Sequence, residues 1–241
     1  MREDPDNLQR IQDSHWSEDM HARRKPDHPV VRATFEPLAD VVASSIDNPG
    51  ESSVLDVGCG SGFLQWSLEK RFILAAGLDY SQQMLEVNPC REKHLGSCTN
   101  LPFPDGSFDV AVASHVLHHL SEPDRIRTLS EMRRVARKTV VSIEPNRNNL
   151  LMFLFCATKR EERMALKFSL AYMRGLFVKA GFIDIQSHVE GWMVPNKAPL
   201  WWIPIGRAIG RSPLRRLGFD VCTVGRIGAA LAASRETFKA P

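Results

Sequence analysis

The residues Val54, Leu55, Asp56, Val57, Gly58, Cys59, Gly60, Ser61 and Gly62 constrain this chain more than any other stretch, because an apolar run holding a carboxylate breaks straight into a glycine-rich turn. The pattern predicts a buried parallel strand whose end opens onto a ligand. Glycines lack the Cβ that would stop the backbone from bending sharply or approaching a bound molecule, and the amides opening the next helix point at that molecule. About twenty residues on, Leu74 to Leu78 read as a second apolar strand ending in Asp79, where a carboxylate can take both hydroxyls of a ribose. The succession of strand, glycine turn, helix, strand and acid is a nucleoside-binding half.

The spacing narrows the nucleoside. A dinucleotide fingerprint places its third glycine three positions after the second, over a pyrophosphate; here the glycines fall at 58, 60 and 62, and position 63 is Phe. Asp56 would also repel a pyrophosphate, whereas it suits the ammonium and sulfonium end of S-adenosyl-L-methionine. The run resembles motif I of the class I S-adenosylmethionine-dependent methyltransferases, particularly the type 11 group. Asp79, Tyr80, Ser81 and Met84 resemble that family's acidic end of strand two. Asn100 to Asp109, then Val110 to Ala113, resemble its loop into strand four, and His118, His119 and Leu120 complete the element. The resemblance covers about residues 50–145, with a weaker echo at Ala180, Gly181 and Phe182.

The resemblance implies an α/β fold: a Rossmann-like, seven-stranded, mostly parallel sheet with helices on both faces, an antiparallel last strand and inserted helical lid segments. It implies S-adenosyl-L-methionine as cofactor, held by Asp56, Gly58, Cys59, Gly60, Gly62, Asp79, Tyr80, Met84, Ser97, Cys98 and Ser114. Two departures stand out. Many relatives read the adenine amino group with Asp before Ala, where this chain has Ser97 and Cys98; a neutral contact in place of a charge-assisted one costs about 1 kcal/mol. The usual lysine, proline, glycine, glycine turn before strand five is replaced by Arg137, Lys138, Thr139 and Val140, which implies a shortened turn.

Methyl transfer from a sulfonium is an in-line displacement, so the protein mainly aligns donor and acceptor and excludes water. A base is needed only where the acceptor holds its proton. His115, His118 and His119 follow strand four at the carboxyl ends where open α/β sheets bind ligands, and each imidazole is a candidate base, His115 first. The residues Ser114, His115, Val116 and Leu117 lack the Asp or Asn, Pro, Pro, aromatic motif that grips a flipped base, so a nucleic-acid acceptor is disfavoured. The expected acceptor is an apolar or aromatic small molecule offering one oxygen or nitrogen. The alternatives kept open are an RNA or other macromolecule methyltransferase, and a non-catalytic S-adenosylmethionine-binding protein.

At 241 residues the chain lies in the size range of one α/β domain, expected over 29–241, after a polar segment, 1–28, whose His15 and Trp16 are candidates to cover the cofactor. Asp27 is the expected cap of a helix from about Pro29 to Ile46, and Ser81 caps another that Pro89 ends. Thr139 to Glu144, Phe182 to Val189 and Phe219 to Val224 read as the last three strands. Insertions at about 146–167 and 191–217 hold Leu150 to Phe155, then Trp192, Trp201 and Trp202, and are expected to pack on each other or on a hydrophobic ligand. Cysteines at 59, 90, 98, 156 and 222 show no metal spacing, so no metal and reduced thiols are expected, with Cys59 a loop filler. No apolar run is long enough to span a bilayer and the start is not signal-like, so a cytoplasmic protein is expected. The C-terminal third is basic, with Arg207, Arg211, Arg215 and Arg216, and peripheral membrane contact beside Trp201 and Trp202 is compatible with it. Oligomeric state is not legible.

Overall fold

The computed structural model describes residues 24–158, 162–191 and 198–228. Helices α1 (Pro29–Ala43), α2 (Phe63–Leu68), α3 (Gln82–Val87), α4 (Glu122–Val135), α5 (Leu150–Thr158), α6 (Leu170–Lys179) and α7 (Trp202–Gly210) alternate with strands. The strands are β1 (Ser53–Val57), β2 (Leu74–Asp79), β3 (Glu92–Leu95), β4 (Phe108–Ser114), β5 (Ala136–Pro145), β6 (Asp184–Glu190) and β7 (Asp220–Arg226). They form one sheet in the order β3-β2-β1-β4-β5-β7-β6, parallel from β3 to β5, with β7 antiparallel to both neighbours. The order reverses between β1 and β4, and that switch point leaves a crevice at the strands' carboxyl ends.

Period-two alternation divides the core between the two faces of the sheet. Leu55, Val57, Ala111, Ala113 and Val140 pack with Leu129 and Met132 of α4 and with Met173 and Phe177 of α6. Val54, Val110, Val112, Val141 and Ile143 pack with Phe35, Leu38 and Val42 of α1 and with Leu64 and Leu68 of α2. The mostly parallel sheet with helices on both faces and an antiparallel last strand is therefore the observed fold.

Several boundaries differ from the sequence reading. The cap of α1 is His28, whose Nδ1 accepts the Val30 amide at 3.2 Å, not Asp27. Pro29 fixes the first helical φ and drives the residue before it into extended geometry, which puts the cap there. The helix ends at Ala43, where the Ser44 amide turns back to the Asp40 carbonyl at 2.8 Å. Ser81 caps α3 as expected, accepting the Met84 amide at 3.3 Å. No turn separates α4 from β5: Val135 ends one and Ala136 begins the other. Residues 1–23, with His15 and Trp16, lie outside the described residues, as does Trp192.

Candidate active site

The glycine turn after β1 is sewn to the end of β2 by its own backbone. The amides of Gly58 and Cys59 donate to the Leu78 carbonyl at 2.7 and 3.0 Å. The Gly60 amide donates to Asp79 Oδ2 at 2.8 Å, and the Ser81 amide to Oδ1 at 2.9 Å. From below, Asn88 Nδ2 donates to the Gly60 carbonyl at 3.2 Å and to Gln65 Oε1 at 2.9 Å. Gly58 has φ +75° and a Cβ there would collide with the Val116 side chain, so only glycine fits. Gly60 has φ +50°, yet a Cβ built on it meets nothing within 4 Å: the turn has open space on that flank.

Asp56 lies opposite Gly77 and Val112 in register and is 2% exposed. Its Oδ2 is buried with no hydrogen-bond partner. Burial first, then the nearby Asp79 charge, push the Asp56 carboxyl up to about 7, against the Gln65 amide that bonds it. Burial also raises Asp79, offset by the amides of Ser81 and Gly60. Two buried carboxylates at one strand switch, one of them with an unsatisfied oxygen, favour a cation beside them. The same burial holds the Cys59 thiol far above its ordinary range, so it is no nucleophile. Met84 is buried and Tyr80 exposed beside them. The Gly96 amide ties the next loop to the Asp79 carbonyl at 3.0 Å. On that loop Ser97 is exposed, its hydroxyl 2.9 Å from Thr99 Oγ1, and Cys98 accepts from Thr128.

The three histidines cluster past β4 but have different surroundings. His115 is the one non-glycine described residue at positive φ, 57°, a strained geometry of the kind found at functional sites. Its Nε2 lies 2.8 Å from Asp220 Oδ1 and its Nδ1 3.3 Å from the Ser114 hydroxyl. Burial would lower its pKa, but the Asp220 carboxylate outweighs burial and raises it. His118 is 2% exposed, with Nδ1 2.6 Å from Glu144 Oε2 and Nε2 3.3 Å from Glu162 Oε2. Burial would lower its pKa, but the Glu144 and Glu162 carboxylates prevail and raise it. His119 stacks beside it with ring centroids 3.9 Å apart. His118, His119 and Glu162 also bring three possible metal-ligand atoms within 4.8 Å of one another, where no metal was expected. Both ring nitrogens of His118 face carboxylates, Nδ1 that of Glu144 and Nε2 that of Glu162, so the cluster is also satisfied as a hydrogen-bonded ion pair.

The carboxylates and the arginine that build this cluster escape a reading by motif. Glu144, wholly buried, accepts the amides of Leu117 at 2.8 Å and Val116 at 3.2 Å as well as His118. Arg125, also wholly buried, donates from Nε to the Leu117 carbonyl and from Nη1 to the Tyr172 hydroxyl, pinning the 117–119 turn from α4. For Glu144 a signal existed: like Asp56, it is an acid ending an apolar strand. Asp220 and Glu162 carry no local signal, since their partners lie far away in sequence.

Residues 55–143 match a family described as a methyltransferase domain. The chain is 31% identical over 143 residues to a demethylmenaquinone methyltransferase of Staphylococcus haemolyticus, covering 54% of this chain and 56% of that protein. It is 37% identical over 180 residues to an uncharacterized 37.1 kDa protein of transposon Tn4556 from Streptomyces fradiae, covering 66% and 49%. The chain thus spans about half the length of these two relatives. In fold it is similar to a crystal structure of a SAM-dependent methyltransferase from Thermotoga maritima, with TM-score 0.60, 20% identity, and coverage of 82% and 91%.

Proposed function

We propose that residues 55–143, which match the methyltransferase-domain family, form a class I S-adenosylmethionine-dependent methyltransferase and that the protein methylates an oxygen or nitrogen of an apolar or aromatic small molecule. Two features of one strand and turn carry the cofactor half of the reading: the buried Asp56 Oδ2 with no hydrogen-bond partner, and the open flank of Gly60 four residues on. That pair fits an ammonium ligand, and S-adenosylmethionine presents one. When bound, the cofactor supplies a methyl group activated on a sulfonium. Asp56 would hold the amino-acid end, Asp79 the ribose hydroxyls, and the loop of Ser97 and Cys98 the adenine edge, with Tyr80 and Met84 flanking the ring.

His115 is the base in this reading. Its Nε2–H donates to Asp220, which fixes the tautomer and leaves Nδ1, beside Ser114, to take a proton from the acceptor. His118, held on both nitrogens, positions the turn and is not a proton acceptor. The similarity to a protein named for demethylmenaquinone supports a ring-bearing, apolar acceptor. Transfer of a radiolabelled methyl group to phenol and quinol acceptors, run beside total RNA, tests the reading. Label in the small-molecule fraction is expected, and label confined to RNA would overturn it.

A further inference from the structure

Two segments crowd the sheet's carboxyl edge beside His115: 146–158, which follows β5, and 198–218, which leads into β7. They supply nine of the sixteen large hydrophobic side chains that stand exposed among the described residues. Leu150 is 69% exposed, Leu151 63% and Trp201 66%, and of α5 only Cys156 is buried. Among the described residues, most of these aromatic and aliphatic groups are not buried against one another, which leaves the other expected partner, a hydrophobic ligand or surface.

The two segments adjoin at their roots, at the carboxyl edge of the sheet. Asn146 Nδ2 donates to the Gly218 carbonyl at 2.9 Å, and Asn149 Nδ2 to the Leu217 carbonyl at 2.5 Å. The turn over Pro213–Leu217 in turn packs on α7. Charge along both segments has a single sign: Arg147, Arg207, Arg211 and Arg216 are exposed, and neither segment contains an acidic residue. A tryptophan and leucines between exposed arginines match the layering of a bilayer surface, where apolar side chains enter the acyl boundary and guanidinium groups meet anionic headgroups. No described helix is long and apolar enough to cross a membrane, which is consistent with lying on the surface.

We propose that the exposed face of these segments docks the protein on anionic lipid bilayers, with the methyl-transfer site opening beside the contact. The surface argument stands without the transfer reaction. The test is co-sedimentation of the full chain with vesicles of phosphatidylcholine alone and of phosphatidylcholine mixed with phosphatidylglycerol. Binding to the mixed vesicles only, weakening with salt, is expected. Replacing Arg207 and Arg211 by Gln should weaken it about fivefold per arginine, and Leu151→Ser with Leu154→Ser on the order of tenfold. S-adenosylhomocysteine binding by the variants shows that they are folded. A wild-type chain that fails to bind the cofactor yet sediments with the vesicles would defeat the function proposed above and leave the docking face intact. A wild-type chain that stays in solution, variants that sediment like wild type, or a dimer in sedimentation velocity that buries this face and persists with vesicles present, would overturn it.

Discussion

His115 Nε2 and Asp220 Oδ1 stand 2.8 Å apart although 105 residues separate them in sequence, joining the end of β4 to the start of β7. The antiparallel insertion of β7 makes this possible, since it brings Asp220 level with Pro145 at the carboxyl edge of the sheet. If that dyad takes the acceptor's proton, His115→Gln should lower kcat by about 100-fold or more while leaving S-adenosylhomocysteine affinity unchanged. Asp220→Asn should lower the His115 pKa and shift the acidic limb of the pH–rate profile to lower pH, because the base must be unprotonated to act. Steady-state kinetics across pH check both.

Asp56 gives a pH dependence of opposite origin. With its folded-state pKa pushed up to about 7 from 3.8, the folded chain takes up a proton that the unfolded chain releases. Stability of the free protein should therefore fall as pH rises between those values, and Asp56→Asn should flatten that slope in urea titrations, leaving the smaller part that the raised Asp79 contributes. Ligand affinity runs the other way: a bound ammonium needs the ionised carboxylate, so S-adenosylhomocysteine should bind more tightly as pH rises toward 7, by about tenfold per unit at most.

Gly60 separates ligand space from backbone strain. Gly60→Ala should cost about 1 kcal/mol of stability through its positive φ, since its Cβ meets nothing within 4 Å. The methyl group then occupies the open flank, so cofactor affinity should drop by more than stability does. Thermal melts and calorimetry on the same sample compare the two.

Asp109 anchors the opposite end of the sheet. Its Oδ2 lies 2.9 Å from Arg137 Nη2 and 2.9 Å from the Ser53 amide. Burial would raise the carboxyl, but the Arg137 bond prevails and holds it well below the usual range. Asp109→Asn should cost about 2 kcal/mol at neutral pH, a loss that shrinks as pH falls below the ordinary carboxylate pKa and the wild-type pair is itself protonated. Denaturant titrations at both pH values read it.

The scaffold was legible because it rests on local periodicity: β1, β2 and β4 are apolar runs, and Ser81 sits where a cap must. The short edge strand β3, Glu92–Leu95, has no apolar signature, because an edge strand exposes most of its side chains. On the cofactor side, Asp56, the glycines and Asp79 are close in sequence and declare themselves together. On the acceptor side, His115 depends on Asp220 and His118 on Glu162, pairings over distances that leave no local pattern, and only Glu144 announces itself, as an acid at the end of an apolar strand. The exposure of Leu150 and Trp201 was equally hidden, since an apolar run reads the same whether it is buried or faces outward.

The histidine cluster should need no ion. Because Glu144 and Glu162 already engage both nitrogens of His118, activity should survive prolonged chelation and elemental analysis should find no stoichiometric metal. Loss of activity on chelation, restored by one divalent cation, would reassign His118, His119 and Glu162 as ligands.

Calorimetric titration of S-adenosylhomocysteine into the wild-type chain, Asp79→Ala and Ser97→Ala tests the central claim most directly. The account predicts saturable one-site binding by wild type, with Asp79→Ala losing about 1 to 3 kcal/mol more than Ser97→Ala, because a buried carboxylate makes charge-assisted bonds where the exposed hydroxyl makes a neutral one. No heat of binding at millimolar ligand, or an equal loss in both variants, would contradict it.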